Sequence, residues 1–118
     1  MSAYACEPGR GSEPGAGWAW ACAATRDHEV WVLTHVTNAA SIDAALAGDD
    51  RLADRLHPVY LQNARWARAL RRRGPTRFLY YLLWQLTRCR REARRLHEAV
   101  GFDVCHHVTY AADWLPAA

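Results

Sequence analysis

Four glycines fall within nine residues near the start of the chain, and a loop of this composition can bind phosphate. Glycine has no side chain, so the backbone can approach an anion closely. The amino end of a following helix then directs free N–H groups and a positive dipole end at it. The spacing is neither GxGxxG nor Walker A, and a flexible turn before a helix is the alternative interpretation. The glycines are Gly9, Gly11, Gly15 and Gly17.

Two adjacent histidines near the far end of the chain, His106 and His107, form the second candidate group. An imidazole ring can donate or accept a hydrogen bond, and both residues lie toward the end of a predicted strand. Successive strand residues point to opposite faces of a sheet, so at most one of the two should line a site. Structural roles for both remain the alternative. The other histidines are interpreted as structural or solvated: His28, His35, His57 and His97.

Four predicted strands would carry these segments, at 2–6, 28–35, 56–61 and 102–108. The second run is too continuously apolar for a half-exposed strand, which favours a parallel sheet buried on both faces. A strand, a glycine-rich turn, a helix and a strand form one βαβ unit, the building block of Rossmann-like domains. Such sheets bind ligands outside the carboxyl ends of their strands, where loops 7–17 and 106–113 would both lie.

Helices are predicted at 13–26, with Ser12 as a cap, at 41–47, between Ser41 and Gly48, and from Phe78 to about residue 100. The last has the clearest pattern, because its apolar residues recur every three or four positions with arginines between them. Gly101 follows as the glycine that ends the helix. Its apolar positions are Leu79, Leu82, Leu86, Cys89, Ala93, Leu96 and Val100.

The chain has 118 residues, which suits one compact domain and is too short for two. About half of the residues are hydrophobic (51%), so a core can form and disorder is excluded. No run approaches the roughly 18 apolar residues of a membrane span, and the start lacks a signal-peptide pattern, which predicts a cytoplasmic protein. Four widely spaced cysteines indicate reduced, mostly buried thiols rather than a metal site.

Residues 65–95 hold eleven arginines against one acid, Glu92. Solvated helix faces are the favoured interpretation of this charge. The second is peripheral contact with an anionic membrane, since Trp66 lies among the arginines and interfacial helices mix aromatic and basic residues. Nucleic acid is an unlikely partner, because no recognition motif accompanies the charge. The arginines assigned to the membrane contact are Arg65, Arg68, Arg71, Arg72 and Arg73.

Two segments resemble a branch of bacterial glycosyltransferases related to family 4. Residues 2–18 (SAYACEPGRGSEPGAGW) resemble the opening of that branch, which continues there into a strand similar to residues 28–34. Residues 101–110 (GFDVCHHVTY) resemble a later segment of the same branch. The likeness covers nearly the whole chain in order.

The resemblance implies the GT-B fold, in which an amino-terminal Rossmann-like domain binds the acceptor and a carboxyl-terminal domain grips a nucleotide sugar. Transfer then retains the anomeric configuration and needs no metal or cofactor. It implies that Gly11, Gly15 and Gly17 lie near the donor diphosphate, and that His106 or His107 bonds the transferred sugar. Many relatives have His-x-His here, whereas the second position of that pattern is Val108 in this chain.

The family's glutamate pair belongs to the carboxyl-terminal domain, and 118 residues do not include it. The expected fold is therefore an α/β, Rossmann-like parallel sheet with flanking helices, the incomplete amino-terminal half of a GT-B enzyme spanning 1–118. Without the other half, in the same or a partner chain, we expect no turnover. The alternative function is a non-enzymatic basic module that binds an anionic membrane surface or nucleic acid.

Overall fold

The apolar run after Glu29 forms strand β1 (Val30–His35), which pairs in parallel with strand β2 (Leu56–Leu61). Val30 lies opposite Leu56, and His35 lies opposite Leu61. The predicted strand at 56–61 is confirmed at both ends, and β1 begins two residues later than predicted. These coordinates come from a computed structural model, which describes residues 1–72 and 74–108.

Two short segments continue the sheet beyond β1. Ser2 forms parallel bridges with Leu33 on one side and with His107 on the other. The N–H of Leu33 donates to the carbonyl of Met1 at 2.9 Å, and the N–H of Ser2 donates to the carbonyl of His106 at 2.7 Å. The order across the sheet is therefore the His107 segment, the Ser2 segment, β1 and β2. Regular strands at 2–6 and 102–108 were predicted wrongly, because within the described residues of these segments only Ser2 and His107 form β-bridges.

Helices cover both faces of this sheet. Three of them lie in the first half of the chain: α1 (Ser12–Ala24), α2 (Ala39–Ala47) and α3 (Asp50–Arg55). A long helix in the second half consists of α4 (Gly74–Leu83), a π-helical segment (Trp84–Cys89) and α5 (Arg90–Val100). Short 3₁₀ helices occupy Val36–Asn38 and Arg65–Arg72. The described chain is thus a small α/β domain.

The helix ends agree only partly with their predicted caps. Gly101 ends α5 in the left-handed conformation (φ 76°), as predicted. Ser12 does not cap α1, because the chain enters that helix through Gly11 without a side-chain hydrogen bond. Ser41 does not cap α2 either, since its hydroxyl donates to the Glu7 carboxylate at 3.1 Å. Asp49 does cap α3, by accepting from the N–H of Leu52 at 3.0 Å.

Side chains of β1 alternate between two cores, one on each face of the sheet. Val30 and Val32 pack with Ala21 of α1 and Ile42 of α2. Leu33 packs on the opposite face, and the core there is completed by Trp84, Cys89 and Leu96 of the long helix. This confirms that β1 is buried on both faces, as its continuous apolar sequence predicts.

The apolar face of the long helix was predicted wrongly in its first half and at Val100, which is 43% exposed. Leu79 and Leu86 are 46% and 42% exposed, whereas Tyr80 and Trp84 are almost fully buried. The π-helical segment explains the difference: it widens the turn, so the buried positions Trp84 and Cys89 are five residues apart. After this extra residue, which shifts the phase by about 100°, Cys89, Ala93 and Leu96 face the core as predicted.

The cysteines are free and differ in exposure. Cys6 and Cys89 are buried, as expected for mostly buried thiols. Cys22 is only partly buried, and Cys105 is exposed. Burial raises the pKa of the Cys6 thiol to about 12 and that of Cys89 to about 11, which keeps both protonated. Among the helices described, none has the length and apolar character needed to cross a bilayer.

Candidate functional site

The glycine-rich segment leads from the Ser2 segment into α1, and two of its glycines have a packing role. A Cβ atom at Gly15 would lie 1.9 Å from the carbonyl oxygen of Arg10. One at Gly17 would lie 2.3 Å from the carbonyl oxygen of Ala5. Both glycines therefore let α1 pack directly on the preceding backbone, which explains them without a ligand.

Gly11 has different surroundings. It is exposed, and no atom would meet a Cβ there within 4 Å. No side chain caps α1 at this position, which leaves the first N–H groups of the helix open to an anion. Contacts within the loop fix its conformation: the N–H of Glu7 donates to the Pro14 carbonyl at 2.9 Å, and the Glu7 carboxylate pairs with Arg10 at 3.3 Å. Donor-phosphate contacts by Gly11, Gly15 and Gly17 stay a prediction.

His106 and His107 point to opposite faces of the sheet, as expected for successive residues. The exposed His106 ring lies 5.1 Å from the ring of Trp20 on α1. On the other face, Nδ1 of His107 lies 3.3 Å from the Ser2 hydroxyl and 3.4 Å from the side-chain nitrogen of Gln85. Burial, and then the charge of His106, lower the pKa of His107. Its Nε2 is buried and has no hydrogen-bond partner in the described part of the chain.

The glycine loop and His106 lie at opposite ends of the strands. His106 lines an open 410 Å³ pocket with His28 and Trp31, at the amino end of β1. The glycine loop instead follows Tyr4, whose backbone runs parallel to the carboxyl end of β1. Residues 109–113 of the predicted second loop lie outside the described residues. The sugar contact assigned to His106 or His107 stays a prediction.

The carboxyl ends of the described strands meet at a second, more charged pocket of 600 Å³, called the carboxyl-edge pocket below. Tyr4 contributes from the Ser2 segment, His35 from the end of β1 and Gln62 from the position after β2. The wall facing them comes from the 3₁₀ helix Arg65–Arg72 and from α4. This wall carries four arginines, called the pocket arginines below: Arg68, Arg71, Arg72 and Arg77.

A hydrogen-bonded histidine supports one side of this pocket. Nδ1 of His35 accepts from the N–H of Thr37 at 3.2 Å, so its Nε2 carries the proton in the neutral ring and donates to the Tyr80 hydroxyl at 2.9 Å. The side-chain amide of Asn63 donates to the Tyr80 carbonyl at 2.8 Å and ties α4 to the chain after β2. Burial, and then the charge of Arg71, lower the pKa of His35 to about 4, so the ring is neutral near pH 7.

The pocket is strongly positive. Its lining includes no acidic residue, and in residues 1–72 and 74–108 no carboxylate forms an ion pair with a pocket arginine. Arg71 is the best anchored of the four, since its guanidinium donates to the Thr37 hydroxyl at 3.4 Å and is half-buried. Burial raises the pKa of the Tyr4 phenol, and the charges of Arg71 and Arg77 oppose that effect. Among the described residues, these groups converge without a carboxylate in the pocket lining.

The arginines of α5 have another environment. Arg90, Arg91, Arg94 and Arg95, called the helix arginines below, are all exposed. Arg95 pairs with Glu92 one turn before it. The interpretation of the arginine run as solvated faces fits α5 and the exposed Arg68, Arg72 and Arg77, whereas Arg71 is half-buried. Of the arginines assigned to membrane contact, Arg73 lies outside the described residues, and Arg65 is exposed beside the 73%-exposed Trp66.

Sequence reasoning missed the role of His35 and the pocket arginines as pocket-lining residues. His35 was interpreted as structural or solvated, although it ends a predicted strand, and that position was a usable signal because ligands bind beyond the carboxyl ends of parallel strands. No comparable signal marked the arginines, whose location depends on how the 3₁₀ helix packs on α4.

The described residues include no group of three or more His, Cys, Asp or Glu arranged to hold a metal ion. No protein-family model matches the chain, and no curated protein or solved structure is significantly similar to it.

Proposed function

We propose that this chain is the Rossmann-like, acceptor-side domain of a GT-B glycosyltransferase, which transfers a sugar from a nucleotide-sugar donor with retention. The observation that carries the proposal is the order of the four parallel segments. Numbered along the chain, the Ser2 segment, β1, β2 and the His107 segment lie across the sheet in the order 3-2-1-4. This matches the first four positions of the order 3-2-1-4-5-6 of a Rossmann domain.

That order gives the glycine loop its significance. The sheet's strand order reverses at the Ser2 segment, because β1 and β2 continue to one side and the His107 segment lies on the other. Ligands of doubly wound sheets bind at such a reversal, beyond the carboxyl ends of the strands. The loop that follows the Ser2 segment is the one that resembles glycosyltransferases, and its exposed Gly11 precedes an uncapped helix end.

Under this proposal, the donor nucleotide binds mainly to a carboxyl-terminal domain, encoded further along the reading frame or by a partner gene. The glycine loop would contact one side of the donor diphosphate, through Gly11, Gly15 and Gly17. The carboxyl-edge pocket would belong to the acceptor.

Turnover by the reconstituted enzyme tests this function. The chain is joined to, or co-expressed with, the second domain, and transfer from UDP-, GDP- and ADP-sugars is followed by mass spectrometry. We expect transfer that is absent for the 118-residue chain alone, and a loss of about tenfold or more in kcat for His106→Ala or His107→Ala. His97→Ala, at an exposed histidine of α5 that lines neither pocket, is the control. Finding no such domain, or no transfer with any donor, would refute the function.

Contact with an anionic membrane surface is a second candidate, favoured by one observation. Trp66 is 73% exposed within the 3₁₀ helix that carries Arg65, Arg68, Arg71 and Arg72. An exposed indole flanked by arginines suits the lipid–water interface. In a flotation experiment with phosphatidylglycerol vesicles, the wild type should float with the vesicles and Trp66→Ala should remain in the bottom fraction. Equal flotation of both proteins would argue against this candidate.

A further inference from the structure

We propose that the carboxyl-edge pocket binds a phosphate ester, so that the acceptor of the proposed transferase carries a phosphate group. The role as an acceptor rests on the proposed function, whereas the binding itself does not. The proposal concerns a site apart from the glycine loop, and its ligand chemistry follows from four arginines and the neutral donors beside them.

The unpaired charge of the pocket is the first argument. Arginines on protein surfaces are commonly neutralised by nearby carboxylates, but none of the pocket arginines forms an ion pair within residues 1–72 and 74–108. Four positive charges that converge without a counterion repel one another, and an anion in the pocket would relieve that repulsion. Guanidinium groups bind phosphate through two parallel hydrogen bonds, which favours this anion class.

The pocket also has the size and neutral groups of a small-molecule site. Its 600 Å³ falls within the roughly 300–1,000 Å³ typical of such sites, which is more than one phosphate ion fills. Tyr4, Thr37 and Gln62 add phenol, hydroxyl and amide groups to its lining. Groups of this kind can hydrogen-bond the hydroxyls of a sugar or polyol attached to the phosphate.

The packing around Arg71 shows that part of the site is preformed. Arg71 is half-buried, and its guanidinium reaches the Thr37 hydroxyl, which lies 2.9 Å from Nδ1 of His35. His35 is in turn held by the fully buried Tyr80. The chain of contacts fixes the side of the pocket that Arg71 forms, so less side-chain entropy is lost when a ligand binds.

The phosphate can come from two sources, a soluble sugar phosphate or a lipid headgroup. Isothermal titration calorimetry of the full chain with glucose 6-phosphate, at about 0.15 M salt to screen weak surface attraction, tests the first source. Co-sedimentation with vesicles of phosphatidylcholine containing phosphatidic acid tests the second. Binding in either arm supports the proposal and identifies the source. Binding in neither arm overturns it.

Matched variants separate the pocket from general positive charge. Arg71→Ala with Arg77→Ala should weaken binding by about tenfold or more, because both remove charge-assisted hydrogen bonds from the pocket. Arg90→Ala with Arg94→Ala removes the same charge from exposed positions of α5 and should leave the affinity within about twofold, as expected for screened charges. An equal loss in both double variants overturns the proposal.

Nuclear magnetic resonance on the wild type provides a readout that does not depend on how the variants fold. The ligand should shift the amide signals of Thr37 and Gln62 and the side-chain Nε–H signals of the pocket arginines most strongly. The largest shifts on α5 would overturn the proposal. Loss of transferase activity in the extended enzyme, with phosphate binding intact, would instead count against the proposed function alone.

Discussion

The pocket arginines and the helix arginines come from one basic run in the sequence, yet the fold places them on different parts of the surface. The pocket arginines converge at the carboxyl ends of the strands, with Arg71 half-buried and bonded to Thr37. The helix arginines project from α5 into solvent, where Glu92 pairs with Arg95. The charge along the sequence therefore does not tell which arginines line a pocket and which lie on an open helix face.

Charge reversal should show the largest difference in phosphate affinity between the two groups of arginines. Replacing Arg71 and Arg77 by Glu puts repulsive charge in the pocket, and we expect the affinity for glucose 6-phosphate to fall by about a hundredfold or more. Arg90→Glu with Arg94→Glu changes the net charge equally but should weaken binding only slightly. Calorimetry at fixed ionic strength measures both. Similar losses in the two variants would mean that the two groups do not differ.

Acid should destabilise the pocket side of the molecule through His35. Its pKa is about 4 in the folded protein and near 6.5 in an unfolded chain, so the unfolded state takes up the proton first as the pH falls. The neutral, buried His35 ring therefore contributes to stability fully above pH 6.5, and this contribution is lost toward pH 4. The loss is on the order of 2–3 kcal/mol in the free energy of unfolding. Urea unfolding at pH 7 and pH 4.5 measures this loss.

The difference between variants isolates His35 from other titrating groups. His35→Gln should show a smaller pH dependence than the wild type, whereas His28→Gln, at an exposed position, should keep the wild-type dependence. The helix arginines have no buried histidine of this kind beside them, since His97 on α5 is exposed. Identical pH dependence in His35→Gln and the wild type would contradict the prediction.

Tyr80→Phe should have an intermediate effect, because it removes the partner of His35 Nε2 at 2.9 Å. A buried ring nitrogen left without a partner costs about 1–3 kcal/mol, and we expect the lower part of that range. The matched control is Tyr60→Phe, whose hydroxyl bonds Asp43 on the other face at an exposed site. Chemical denaturation compares the two. A larger loss from Tyr60→Phe would show that the pocket side is not supported as described.

The smallest effect is expected at the helix arginines. Glu92→Gln removes the partner of Arg95, but the pair is one turn apart at the surface, where ion pairs contribute little. Melting temperature and phosphate affinity should both stay close to those of the wild type. A clear change in affinity would indicate that α5 takes part in binding.

Much of the fold could be predicted from local patterns. The strand at 56–61 has the predicted bounds, and the two-faced burial of β1 follows from its unbroken apolar run. Residues 2–6 and 102–108 resisted prediction, because within their described residues only Ser2 and His107 form β-bridges, and neither segment forms a regular strand. Regular pairing there depends on tertiary contacts that β propensity does not report.

The candidate site was harder to predict from the sequence than the fold. The glycine loop could be found by composition, but the backbone contacts at Gly15 and Gly17 could not. The pocket arginines come from a 3₁₀ helix and from α4, and their convergence on His35 is a long-range contact. Periodicity also failed at Leu79 and Leu86, since an α-helical repeat cannot anticipate a π-helical turn.

The π-helical segment has a further consequence for how such a sequence can change over evolution. In an uninterrupted α-helix, the face that carries Arg77, Tyr80 and Trp84 would continue through Arg88 and Arg91 and turn their charges toward the apolar core. One inserted position lets Cys89 and Leu96 take that place instead. Deleting one residue between Trp84 and Cys89 would bring these two core residues to a spacing of four and keep Cys89 and Leu96 on the core face of a regular α-helix, so this deletion should be better tolerated than one elsewhere in the helix.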